Sequence, residues 1–131
     1  MKFLLLLTLM AICYLGRTQS IQSIDSIHPD EAFDNIYIHK IDGDELTTRF
    51  IIWVKDTVRT HKHKNHSETI YILDGEGKFY FDDSIVTVKK GDLIFIPQQT
   101  WHSVKVTSKN PMTVISNQSP AFYGEDRTFR D

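Results

Sequence analysis

The chain has 131 residues, of which 40% are hydrophobic and 24% are charged. These values fit one globular domain and leave too little chain for two. The formal net charge is −2 at pH 7, and the basic residues form no cluster, which argues against nucleic acid as a partner.

The first twenty residues are typical of a secretory signal peptide. Lys2 precedes a largely apolar run of 13 residues from Phe3 to Leu15, and polar residues follow up to Ser20. A membrane anchor is the alternative, but such a run spans only about 20 Å as a helix, against about 30 Å of hydrocarbon. We therefore predict a signal peptide over residues 1–20, cleaved between residues 16 and 20. The mature protein would be periplasmic or secreted, without membrane attachment.

Cys13 is the only cysteine, and it lies inside the predicted signal peptide. Lipid modification of Cys13, as in a lipoprotein, is disfavoured, because lipoprotein signals normally carry a small residue before the cysteine and this chain has Ile12 there. After cleavage the chain has no thiol for a disulfide, a nucleophile or a soft metal site.

The rest of the chain has the pattern of an all-β domain. Residues 21–34 show no sustained period and are predicted to form an extended N-terminal arm, followed by one domain over residues 35–131. Short β-rich runs recur there every eight to twelve residues, with turn residues between them. No window offers apolar residues at helical spacing over three turns. The predicted strands are 36–41, 46–55, 58–63, 68–73, 78–81, 85–88, 92–96, 101–107 and 112–116. The C-terminal end is predicted to be a frayed tail, and the alternatives are that it folds back over the barrel mouth or pairs with a second subunit.

Histidines cluster in two short windows. His61, His63 and His66 stand in HKHKNHSE, and His102 ends PQQTWH. Residues two apart in a strand face the same side, so the first two imidazoles can reach one point. Glu68 can open the next strand toward that point, and His102 can add a ligand from a distant strand. A polar solvated loop is the alternative, which Glu68 and His102 together disfavour.

This donor set predicts one divalent transition metal. Three neutral imidazoles and one carboxylate suit Fe, Mn, Ni, Cu or Zn, and the absence of a thiolate argues against Cu(I). The identity of the metal stays open.

The same residues carry a resemblance to a known family. The segment HKHKNHSETIYILDGEG resembles the first motif of the cupin superfamily, with His61, His63, Glu68 and Gly75 at the motif's spacing.

A second segment, GDLIFIPQQTWHSVKV, resembles the second cupin motif through Gly91, Pro97 and His102. It departs from that motif at Gln99, where glycine is usual, and at Val106, where asparagine is frequent. Neither departure removes a predicted metal ligand.

The resemblance implies a small single-domain cupin with a double-stranded β-helix, or jelly-roll, barrel. It further implies a homodimer, with a metal inside the barrel held by His61, His63, Glu68 and His102. A small molecule would be the partner of this site.

Three further residues are candidates for substrate binding. Arg59 shares the parity of His61 and His63, so it can point into the same cavity and hold a carboxylate. His66 can substitute for a ligand or donate a proton, and the amide of Gln99 can reach the mouth of the cavity. The alternatives are solvation at the rim for Arg59 and a place in the turn for His66.

The leading functional hypothesis is a small metalloenzyme that acts on a soluble small molecule. An isomerase or lyase of a sugar acid and an iron-dependent dioxygenase both fit, and no catalytic residue beyond the metal ligands can be named. The alternatives are a non-catalytic module that binds a metal or a small molecule, and a metal that mainly stabilises the fold.

Overall fold

A computed structural model describes residues 20–130. This part of the chain forms ten β-strands and one 3-10 helix, Ile24–Ser26, and contains no helix long and apolar enough to cross a membrane. The predicted signal peptide lies outside the described residues except for Ser20, so export stays a prediction. The strands are β1 (Ile36–Gly43), β2 (Thr48–Val54), β3 (Thr57–His63), β4 (Ser67–Asp74), β5 (Glu76–Phe81), β6 (Ser84–Lys89), β7 (Leu93–Ile96), β8 (His102–Val106), β9 (Met112–Ser119) and β10 (Arg127–Phe129).

The strands form two antiparallel sheets of five strands each. The first sheet has the order β1-β2-β9-β4-β7, and the second has the order β10-β3-β8-β5-β6. Consecutive strands repeatedly lie in different sheets, as the jelly-roll prediction requires. The predicted all-β fold is therefore confirmed, and the nine predicted runs correspond to β1 to β9 within a few residues.

The interior of the barrel has an apolar end and a polar end. Strand β9 shows both, because buried and half-buried residues alternate along its whole length. Its inward side chains are Met112 and Val114 at one end and Ser116 and Gln118 at the other. The apolar end is the hydrophobic core, which consists of Val54, Ile70, Ile72, Phe79, Val88, Ile94, Ile96, Val104, Val106, Met112 and Val114.

Gly75 allows the chain to pass from the first sheet to the second. Its φ is +87°, in the left-handed region that side chains disfavour, and a Cβ there would lie 2.7 Å from the Cα of Met112. The close approach of these two backbones explains why the first motif carries glycine at this position.

The N-terminal arm packs on the outer face of the first sheet. Ile51 of β2 faces away from the barrel cavity, yet it is only 2% exposed, because Ile24 and Ile27 lie beside it. The side-chain oxygen of Asn35 accepts hydrogen bonds from the backbone N–H groups of Asp56, at 3.0 Å, and Thr57, at 3.2 Å.

The C-terminal segment differs from the predicted frayed tail. Residues Arg127–Phe129 form β10, which pairs with His61 to His63 of β3. The backbone N–H of Lys64 also donates to the carbonyl of Asp126, at 3.1 Å. The prediction was wrong because this short strand is stabilised by partners about 60 residues away, not by its own sequence.

An apolar patch remains on the outer face of the first sheet. Leu93 and Phe95 of β7 are 69% and 64% exposed, and Tyr71, which pairs with Leu93, is 41% exposed. Exposed apolar patches frequently mark sites of protein association. The predicted homodimer stays a prediction, and this patch is where we expect its interface.

We expect Phe95→Asp to shift the protein from dimer to monomer, because a charge in an apolar interface is costly to desolvate. Light scattering coupled to size exclusion measures the mass. Ile85→Asp is the matched control, since Ile85 is 63% exposed on the other sheet. A wild-type protein that is monomeric at micromolar concentration would contradict the expectation.

Candidate metal centre

Four predicted ligands converge between the two sheets. His61 and His63 lie on β3 and His102 on β8, where His61 and His102 are paired directly, whereas Glu68 lies on β4 of the other sheet. All four are buried. One nitrogen or carboxylate oxygen from each lies within 4.8 Å of the others. The group can therefore hold a metal ion.

Backbone carbonyls orient two of the imidazoles. The Nδ1–H of His61 donates to the carbonyl of Arg59, and that of His102 donates to the carbonyl of Thr100, both at 2.9 Å. Because a carbonyl only accepts, each Nδ1 carries the proton and each Nε2 keeps its lone pair. This is the tautomer that binds a metal through Nε2.

The carboxyl of Glu68 joins the two sheets. Its Oε1 accepts a hydrogen bond from the hydroxyl of Ser116, while its Oε2 lies 3.3 Å from Nε2 of His63 and 3.4 Å from Nε2 of His102. Burial by itself raises the pKa of Glu68, but His102, His63 and Ser116 together hold the pKa below its usual value. The carboxyl is therefore ionised, as a metal ligand must be.

Several metal-donor atoms of the cluster have no hydrogen-bond partner among residues 20–130. They are both ring nitrogens of His63 and Nε2 of His102. The two Nε2 atoms face Oε2 of Glu68 at 3.3 and 3.4 Å. Buried polar atoms are normally satisfied, so unpaired atoms that face one point need an explanation. A cation bound at this point would satisfy the Nε2 atoms, and the donor set fits it.

His61 is kept neutral by its surroundings. Burial and the neighbouring imidazole of His102 lower the pKa of His61 to about 4. The ring centroids of His61 and His102 are only 4.2 Å apart, so two protonated rings would repel each other. At neutral pH the His61 lone pair is therefore available without the loss of a proton.

Asp126, which the sequence analysis did not select, stands behind His63. One of its carboxylate oxygens lies 3.7 Å from Nδ1 of His63 and also accepts a hydrogen bond from Nδ1 of His66. Burial raises the pKa of Asp126, but the hydrogen bonds from His66 and from the backbone N–H of Asn65 lower the pKa below its usual value. The distance to His63 is too long for a hydrogen bond, so the effect of Asp126 on this ring is electrostatic: a negative charge behind a ligand histidine makes it a better donor to a metal.

The three candidates for substrate binding lie elsewhere. His66 is buried, and its Nε2 donates to the carbonyl of Ala121 at 2.9 Å, so both ring nitrogens are engaged within the protein. Gln99 is exposed with a φ of +65°, and its amide donates to the carbonyl of Lys64 at 2.8 Å. Neither side chain lines the cavity beside the cluster.

Arg59 also points away from the cavity. The pairing of β3 with β8 is irregular between Val58 and His61. Both side chains point inward, although strict alternation along a strand would place them on opposite faces. The parity argument therefore fails at Arg59, which is exposed and lies 5.1 Å from the ring of Phe129.

A cavity of about 130 Å³ opens beside the cluster and is lined mostly by apolar side chains, among them Ile38, Phe50 and Val58. An apolar cavity of about 150 Å³ holds a molecule the size of benzene, so a ligand with one ring or a short chain fits here. Arg127 also lines this cavity. The sequence analysis missed that role because only the pairing of β10 reveals it.

Comparison with known proteins identifies the family. A model of the cupin domain matches residues 48–116. An uncharacterized protein of Methanocaldococcus jannaschii is 34% identical over 76 residues, which are 58% of this chain and 61% of that protein. An oxalate-binding protein of Thermotoga maritima is 33% identical over 60 residues, which are 46% of this chain and 50% of that protein. The chain thus spans less than two thirds of the length of these two relatives.

A solved structure gives the same fold. A nucleoside dehydratase of Streptomyces superimposes with a TM-score of 0.68, at 21% identity, over 86% of this chain and 92% of that one. At this identity the likeness shows the fold alone. The family model, in contrast, covers more than half of the sequence, and the chain therefore belongs to the cupin family.

Proposed function

We propose that this cupin binds one divalent transition metal through His61, His63, Glu68 and His102, and that it is a small metalloenzyme acting on a soluble small molecule inside the barrel. The observation that carries the proposal is the set of buried donor atoms that have no hydrogen-bond partner in the described part of the chain. They belong to a cluster whose histidine tautomers and ionised carboxylate are already those of metal ligands.

Held by these four residues, a divalent metal would supply Lewis-acid chemistry or, if it is iron, activation of O₂. The protein itself contributes orientation and exclusion of water. Ser116 holds the Glu68 carboxyl, and the apolar wall of the cavity receives the body of a small molecule. An isomerase or lyase of a sugar acid and an iron-dependent dioxygenase are the reaction classes that we propose.

A binding module is the second candidate, favoured by the lining of the cavity. Among the described residues of that lining, Glu68 is the one carboxylate and no lysine is present. The described lining thus offers no carboxylate or lysine for proton transfer beyond the cluster, so catalysis would depend on the metal. Turnover of a panel of uronic acids and phenols by the metal-loaded protein supports the enzyme, and binding without turnover supports the module.

We expect His61→Ala and His102→Ala each to abolish stoichiometric metal binding, because each removes one of four ligands. Metal in the purified protein is measured by inductively coupled plasma mass spectrometry. His39→Ala is the matched control, since His39 pairs with the outward-facing Ile51 on the other sheet. Metal content that is unchanged in both cluster variants would rule out the proposed site.

We expect Asp126→Asn to weaken metal binding about 10- to 100-fold without changing the number of ions bound at saturation, because it removes the charge behind His63. Competition with a coloured chelator gives the affinity. Glu125→Gln removes the same charge from the exposed neighbouring position and should bind metal like the wild type. Equal affinity of both variants would show that Asp126 does not support the ligand.

The metal-free protein should lose stability as the pH falls from 6.5 to 4. The unfolded chain protonates His61 near pH 6.5, whereas the folded protein keeps it neutral down to about pH 4. The unfolded state therefore binds more protons at His61 in this window, and the contribution of His61 to the free energy of unfolding falls by about 3 kcal/mol. Urea unfolding measures it. His61→Gln should have a shallower dependence on pH, and an equal slope in both proteins would contradict the expectation.

A further inference from the structure

We infer that Arg127 receives an anionic oxygen of the molecule in the barrel, so that the ligand is a small organic acid with an apolar body. This inference rests on the proposed metal site and adds the class of molecule that the site selects. It is carried by the position of Arg127 on β10, by its contacts and by the lining of the cavity.

The pairing of β10 with β3 places two side chains beside the cluster. Arg127 pairs with His63, and Phe129 pairs with His61. Directly paired residues of an antiparallel sheet project from the same face, so Arg127 and Phe129 lie on the same face as these histidines, and both stay exposed at the mouth of the barrel. The ring centroids of Phe129 and His61 are 5.9 Å apart, and Arg127 lines the cavity that the four cluster residues also line.

Aromatic rings hold the Arg127 guanidinium in place without using its hydrogen-bond donors. Its central carbon lies 5.6 Å from the ring centroid of Phe122 and 6.0 Å from that of Phe129. A guanidinium against aromatic rings keeps the N–H donors at its edge free to bind a carboxylate in a bidentate way. Within residues 20–130, Arg127 forms no ion pair, since the neighbouring Asp126 is engaged with His66 and Asn65.

The other residues that line the cavity indicate that the rest of the ligand is apolar. Arg127 is the one lysine or arginine among the described residues of the cavity, and the polar side chains Ser116 and Gln118 are directed to Glu68. Most other lining residues are apolar. An anionic group held by Arg127 beside a cationic metal would be attracted from both sides, while an apolar body would be received by the wall.

The chain offers a matched control on the same strand edge. Arg130 follows β10, and its guanidinium carbon lies 5.1 Å from the ring centroid of Trp101. Its backbone N–H donates to the carbonyl of Thr60 at 3.1 Å, but its side chain does not line the cavity. Arg130→Gln therefore removes the same charge, also from an aromatic contact, without touching the site.

The test is calorimetric titration of the metal-loaded protein with benzoate, and with benzamide as the neutral molecule of the same shape. We expect benzoate to bind more tightly than benzamide, and Arg127→Gln to weaken benzoate binding about 10- to 100-fold, as for the loss of a charge-assisted hydrogen bond. Arg127→Lys should restore part of the affinity. Arg130→Gln should bind benzoate like the wild type.

The metal content of every variant is measured in parallel, together with near-ultraviolet circular dichroism as a check of folding. If Arg127→Gln holds its metal and binds benzoate like the wild type, or if folded, metal-loaded wild type does not bind benzoate, the inference is overturned while the metal site stands. If the wild type binds no metal, the proposed function fails. In that case, benzoate affinity is compared between the metal-free wild type and metal-free Arg127→Gln. Equal affinity of the two proteins overturns the proposed role of Arg127.

Discussion

The structure depends on one interaction: the negative charge of a carboxylate buried between the two sheets is stabilised by polar side chains from both. Glu68 projects from the first sheet into a group of imidazoles from the second, and Ser116 donates a hydrogen bond to its other oxygen. Burying a charge is costly unless polar partners surround it, so these side chains stabilise one another only as a set. Within the described chain, the set still leaves ring nitrogens of His63 and His102 without a hydrogen-bond partner. The arrangement that makes the polar end of the barrel possible is thus also the one that suits a cation.

The C-terminal strand connects the fold with the proposed function. Strand β10 completes one edge of the second sheet, and the same few residues place Asp126 behind His63, Arg127 at the cavity and Phe129 against His61. Because β3 carries two of the predicted ligands, fraying of its outer edge would displace them. The protein covers that edge with its own chain, which protects the backbone hydrogen bonds and adds a wall to the site.

Sequence reasoning succeeded wherever the relevant interaction was local. The spacing of His61 and His63 predicted that both face the same side, and both are buried. Parity failed for Arg59, because a shift in pairing between β3 and β8 lies between Val58 and His61. A bulge of this kind depends on the partner strand, so the sequence of β3 alone does not reveal it.

By itself, the sequence determined the fold class, the strands β1 to β9 and the four candidate ligands, because side-chain periodicity and motif spacing are properties of neighbouring residues. Only the tertiary structure decided where His66, Asp126 and Arg127 lie. Each position arises from contacts between segments about 60 residues apart, and no local pattern encodes which distant segments will pair. Those contacts stabilise the protein only in the folded state, because hydrogen bonds between polar groups are stronger in the interior of the closed barrel than in water.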